Sequence, residues 1–190
     1  MRLFIETVLE PSALDDVWLV GDHLRRQPSF PTDALRWVKR EAMHLTLRFL
    51  GEVEEARVQD VAGALAELGN GGRLALRVVE VGSFGGRRPR VVWVGFARDE
   101  GFERLRTLRQ RLDGALVGAG FETERGEFRP HLTLGRVRRQ ATAGDLARIR
   151  SVVADAPSLD ITSVVDRVAL VESRLLRDGP RYRRLVLTEL

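Results

Sequence analysis

The strongest constraint on this chain is a tetrapeptide used twice. His44-Leu45-Thr46-Leu47 opens "HLTLRFLG", and His131-Leu132-Thr133-Leu134 opens "HLTLGRVR" 87 residues later, in a sequence with three histidines in all. Both copies sit in segments that read as β-strands. Residues two apart on a strand share a face. His44 and Thr46 therefore point one way, and Leu45 and Leu47 point the other way into a core. His131 with Thr133, and Leu132 with Leu134, repeat the arrangement. One such pattern alone reads as ordinary packing, because short matches recur by chance. The second copy shifts the balance, since it takes two of the three histidines and gives them identical neighbours. The third, His23, falls late in a helix beside Arg25 and Arg26 and reads as a solvated residue near the helix carboxyl end.

Strand and helix signals alternate around the two copies. Strands are expected over 2–9, 35–40, 43–51, 73–84, 90–97, 131–137, 167–175 and 181–190. Helices are expected from Pro11-Ser12 onward and over 54–69, 101–120 and 143–156. "PSFP" (28–31), "GNGG" (69–72), "GGRRP" (85–89) and "RDGP" (177–180) supply the breaks and turns. Each half then holds an HLTL strand, further strands and two helices. The expectation is an α+β fold: one bilobal domain over 1–190, with pseudo-symmetric lobes of mainly antiparallel sheet, helices outside and a cleft between them.

Composition removes several alternatives. With no cysteine there are no disulfides, thiolate metal sites or cysteine nucleophiles. The opening "MRLFIETVLEP" is interrupted by Glu6 and too short for a signal peptide. No segment approaches the roughly 18 apolar residues of a membrane span. A cytoplasmic protein without membrane attachment is expected, and a monomer, since no helix carries a heptad seam. The net charge of +4 permits an anionic partner without requiring one. Lys39 is the one lysine; every other basic residue is arginine, which grips phosphate bidentately.

If the two HLTL strands meet at a pseudo-twofold axis, two imidazoles and two hydroxyls converge on one pocket. Such a pair suits in-line displacement at phosphorus. A neutral imidazole takes a proton from the attacking water, and a protonated one gives a proton to the leaving oxygen. An ordinary pKa near 6.5 lets both forms coexist around neutrality. The threonine hydroxyls donate to non-bridging phosphate oxygens. No metal and no cofactor are expected.

At these residues the sequence resembles the two-histidine (2H) phosphoesterases, and more narrowly the bacterial and archaeal RNA 2′,3′-cyclic phosphodiesterases, first described as 2′-5′ RNA ligases. "MRLFIETVL", "HLTLRFLGEV", "VGSFGGRRPRVVWVG", "FRPHLTLGR" and "VALVESRLLRDGPRYRRL" carry the resemblance over nearly the whole chain. It implies a basic groove between two lobes and hydrolysis of a terminal RNA 2′,3′-cyclic phosphate, or of cyclic nucleotides, to a 2′-phosphomonoester. Reverse 2′-5′ joining is associated with some members. It also implies that His44 protonates the departing 3′ oxygen, that His131 activates water, and that Thr46 and Thr133 hold the phosphate.

The resemblance further makes Arg136 a phosphate ligand. A regularly pleated strand puts Arg136 on the face opposite His131, so that role requires a bend near Gly135. Arg48 continues the His44–Thr46 face and reads equally as a substrate contact or a solvated residue. Phe84 offers an aromatic platform for a base or an anchor for its turn. Arg87, Arg88 and Arg90 read as a solvated basic face or as RNA backbone contacts, and Ser173 and Tyr182 as structural. Two competing functions stay open: action on another substrate, such as 2′-5′ oligoadenylate or ADP-ribose cyclic phosphate, and a non-catalytic module that binds RNA ends.

Overall fold

The computed structural model describes residues 1–69, 71–124, 126–176 and 179–190. Parts of two expected turns, Asn70 in "GNGG" and Arg177-Asp178 in "RDGP", lie outside the described residues. The elements run β1 (Arg2–Thr7), α1 (Pro11–Arg26), β2 (Leu35–Trp37), β3 (Leu45–Glu52), α2 (Val58–Ala66), β4 (Leu74–Phe84) and β5 (Val91–Phe96). They continue with α3 (Glu100–Gly118), β6 (His131–Val137), α4 (Ala143–Ala154), β7 (Ile161–Val165), β8 (Arg167–Leu176) and β9 (Gly179–Glu189). Local signals explain several starts. Pro11 stands in the first turn of α1, where its missing N–H costs nothing. Asp99 accepts from the Phe102 N–H to begin α3, and Thr142 with Asp145 forms a reciprocal capping box on α4. β7 falls in a stretch assigned to no element by pattern; pairing with β4 makes it a strand.

One sheet contains every strand described, in the order β7-β4-β5-β6-β3-β1-β8-β9, with β2 added to β6. The order is symmetric about its middle. There β3 and β6, the two HLTL strands, touch through a single antiparallel pair, Leu45 with Leu132. Outward from that pair each half continues through antiparallel neighbours, β1, β8 and β9 on one side and β5, β4 and β7 on the other. The architecture is α+β, as expected.

The helices cover one face. Leu45, Leu47, Leu132 and Leu134 are all buried there, in a core shared with Val17, Val61, Leu105, Leu112 and Ile149 of the four helices. Burying each of these leucines stabilises the fold by roughly 1.5–3 kcal/mol. The opposite face carries the histidines and threonines.

Both HLTL strands break step at the same point. Thr46 pairs with Glu6 but Arg48 with Ile5, so Leu47 is an extra residue against β1. Likewise Thr133 pairs with Trp93 but Gly135 with Val92, so Leu134 is extra against β5. Each is a β-bulge, and each inverts the alternation beyond it. The displaced carbonyls find partners other than the bulged neighbour: Leu47 O accepts from Arg109 Nε of α3, and Leu134 O from the Val38 N–H at 2.9 Å, at the end of the β2–β6 ladder.

Candidate active site

The central pair positions the chemistry. With Leu45 opposite Leu132, the antiparallel register sets His44 beside Thr133 and Thr46 beside His131. Each imidazole is fixed in the same way. His44 Nδ1 lies 2.9 Å from Ala42 O, and His131 Nδ1 lies 2.7 Å from Arg129 O, in both cases the carbonyl two residues upstream. A carbonyl only accepts, so each Nδ1 carries the proton, and among the described residues each Nε2 is left without a partner, as an acceptor.

Aromatic rings hold both imidazoles. Phe4 lies 4.7 Å from the His44 ring and Tyr182 meets it edge-on at 4.9 Å. Phe84 meets His131 edge-on at 4.8 Å, with Trp93 behind it, 5.0 Å from Phe84 and 6.5 Å from His131. Trp93 lies across two glycines: a Cβ at Gly82 would stand 2.2 Å from its ring, and one at Gly95 2.7 Å. Sequence reasoning overlooked Phe4 and Trp93. The signal for Trp93 was present in "EVGSF" and "VVWVGF", where a large ring and two glycines share one face. Tyr182, expected to be structural, lies edge-on to the His44 imidazole.

Burial pushes both imidazoles below their ordinary value of 6.5. The backbone bonds at Nδ1 oppose that shift, while the positive charge of Arg136 deepens it at both rings, and His44 deepens it further at His131. Arg136 thus acts on both histidines and on Tyr182. Glu6, opposite Thr46 on β1, is a buried carboxylate paired with Arg184 at 2.8 Å. Desolvation raises its pKa and Arg184 partly offsets the rise.

The bulges decide where the two uncertain arginines go. Beyond Leu134, Gly135 turns toward the helix-covered face, where a Cβ would stand 2.8 Å from Leu35 Cδ2. Arg136 is thereby returned to the histidine face, exposed, by a bend of the kind that the resemblance calls for. Beyond Leu47, the equivalent position holds Arg48, and the expectation for it is corrected. Arg48 does not continue the His44–Thr46 face. It is 4% exposed, bonds to the Glu122 carbonyl, and pairs with Asp113 at 3.2 Å beneath the sheet. Phe49, the counterpart of Arg136, takes the histidine face, 57% exposed. Phe84 reaches the site with its ring perpendicular to that of His131. His23 lies 3.3 Å from Gln27 on the exposed end of α1, away from this cluster. Among the described residues no group of three His, Asp or Glu side chains is placed to hold a metal.

The arrangement can move two protons across one small volume, from one free Nε2 and to the other, beside two hydroxyls and a guanidinium. Comparison with known proteins agrees in family. Residues 14–175 match the model of the 2′-5′ RNA ligase superfamily. The RNA 2′,3′-cyclic phosphodiesterase of Aeropyrum pernix is 34% identical over 153 residues, 80% of this chain and 84% of that protein. The protein of the same name from Archaeoglobus fulgidus is 30% identical over 191 residues, covering both chains fully. Among solved structures, E. coli LigT complexed with 3′-AMP superposes with a TM-score of 0.76 at 24% identity, over 100% of this chain and 97% of that one, a likeness of fold. The chain belongs to the 2′-5′ RNA ligase superfamily.

Proposed function

We propose that this chain is a metal-independent RNA 2′,3′-cyclic phosphodiesterase that opens the terminal cyclic phosphate to a 2′-phosphomonoester. The relatives named above carry that activity in their names. The observation that carries the reading here is the matched pair of imidazoles. Each is fixed through Nδ1, with no partner on Nε2 among the described residues, and they flank the pair that joins the two HLTL strands.

In the forward reaction, His131 Nε2 takes a proton from water as its oxygen attacks phosphorus. The P–O3′ bond breaks, and His44, protonated on Nε2, gives its proton to O3′. The resemblance of both HLTL motifs to those of the 2H phosphoesterases supports this division of roles. Thr133 and Thr46 stand beside the imidazoles as hydroxyl donors to the non-bridging oxygens. Arg136 supplies positive charge where the phosphorane gains negative charge. Phe84 holds the His131 ring at its edge. Attack by an RNA 5′-hydroxyl in place of water gives a 2′-5′ linkage by the same proton transfers.

The test is turnover of adenosine 2′,3′-cyclic phosphate in excess chelator, with products identified by phosphorus NMR. The 2′-phosphate is expected. His44→Ala and His131→Ala should each lower turnover by about 10²–10⁴-fold, as loss of a general acid or base does. Full activity in either variant overturns the assignment. Binding of the cyclic nucleotide without turnover in the intact protein points to an end-binding module instead.

A further inference from the structure

The bulge at Leu134 leaves one end of the histidine face lined by cations. Arg36 on β2 pairs directly with Arg136 on β6, so their side chains share that face. The Arg138 N–H donates to Ala34 O at 2.8 Å, which carries the ladder one step further. Extending the pleat one step past the end of β6 places Arg138, two residues from Arg136, on the same face. All three are exposed, and among the described residues no ion pair uses any of them. Several other arginines around the sheet are neutralised: Arg174 and Arg183 by Glu172, Arg184 by Glu6, and Arg48 and Arg109 by Asp113. Like charges directly opposite each other on a sheet are unfavourable, and an anion lying across them reverses the sign.

The row also begins at the site. Arg136, Arg2 and Arg36 all act on the Tyr182 hydroxyl, whose ring meets His44 edge-on. From Arg136 to Arg138 is about 7 Å along the strand. That span covers roughly two stacked nucleotides of a single strand at 3.4 Å each. We propose that Arg36 and Arg138 continue from Arg136 as a track for the RNA phosphates upstream of the reacting end, so that an oligonucleotide is preferred to a cyclic mononucleotide. This rests on the proposed function in placing the terminal phosphate between the histidines. The contacts are to backbone, so the track is blind to sequence.

The test measures binding of a 5′-labelled hexaribonucleotide with a terminal 2′-phosphate by fluorescence anisotropy over a range of salt. R36Q/R138Q lowers the slope of log affinity against log salt by about 1.4, at roughly 0.7 for each single-strand phosphate no longer neutralised. If the two affinities converge at 1 M salt, that is about 25-fold weaker binding at 0.1 M. The ratio of kcat/KM on an oligonucleotide 2′,3′-cyclic phosphate to that on a cyclic mononucleotide falls with it. R104Q/R148Q, which removes the same charge from exposed positions on α3 and α4, leaves the slope in place. An unchanged slope in R36Q/R138Q, or equal drops in both pairs, overturns the track. A wild-type protein that opens neither substrate refutes the proposed function, while the slope still judges the track.

Discussion

One methyl group at Gly82 tests whether the aromatic wall positions His131. An alanine Cβ there would lie 2.2, 2.3 and 2.7 Å from three atoms of the Trp93 ring. Ordinary carbon contacts are about 3.5–4.0 Å, so the ring must retreat by more than about 1 Å. It is backed by Phe84 at 5.0 Å, and Phe84 by the His131 ring at 4.8 Å. The displacement therefore passes to an imidazole, or stays as strain. Overpacking of this kind costs about 1–3 kcal/mol, which for a protein of this size lowers Tm by about 2–12 °C. A misplacement of about 1 Å at the reacting group lowers kcat/KM by up to about 100-fold. Thermal unfolding and turnover on a cyclic nucleotide measure both effects. Gly63→Ala is the control: Gly63 sits inside α2 with nothing within 4 Å of its Cβ position, so alanine there stabilises by about 0.5–1 kcal/mol. A double-mutant cycle isolates the cause, because G82A should cost little in a W93A background, where the ring is gone. G82A with wild-type Tm and wild-type turnover would refute the claim that Trp93 and Phe84 hold the imidazole.

The pH dependence follows from the lowered imidazoles. Both limbs of the kcat/KM profile, which reports the free enzyme, lie on the acid side of 6.5; R136Q removes a charge that lowers both, and moves the profile alkaline. An optimum above neutrality in the wild type contradicts the assignment of both limbs to these residues. The same depression bears on stability: below the ordinary 6.5 the unfolded chain takes up protons that the folded one resists, so stability falls as pH drops through that window. H131Q should lose less Tm than wild type between pH 7 and pH 5. Arg48→Met leaves Asp113 and Glu124 without one of their guanidinium partners. Breaking a buried pair costs about 3–5 kcal/mol, and the low end applies because both carboxylates are about one-third exposed. The expected outcome is a Tm lower by about 6–12 °C with turnover per folded molecule retained; lost turnover at wild-type Tm would return Arg48 to the site.

Most of the secondary structure was legible because its causes are local. Pro11 and the glycine stops stand at helix ends, and alternation marks the strands. The HLTL copies could be read for the same reason. Period-two alternation alone separates His44, Thr46, His131 and Thr133 from the leucines that bury beneath them. β7 escaped because five weakly patterned residues become a strand only when β4 is beside them.

What tertiary structure decided is the phase beyond each tetrapeptide. "HLTLRF" and "HLTLGR" read alike as regular strands, and regular pleating sends Arg48 to the histidines and Arg136 away from them. The two bulges reverse both assignments. A bulge persists only where its unpaired carbonyl is satisfied and its extra residue has room. Those conditions are met here by Arg109 for Leu47, 62 residues away in sequence, and by Val38 and Leu35 for Leu134 and Gly135. The sequence alone thus determined which four side chains face one way and what chemistry they suit. Which arginine joins them depends on groups brought in from distant segments, and only the folded chain contains that information.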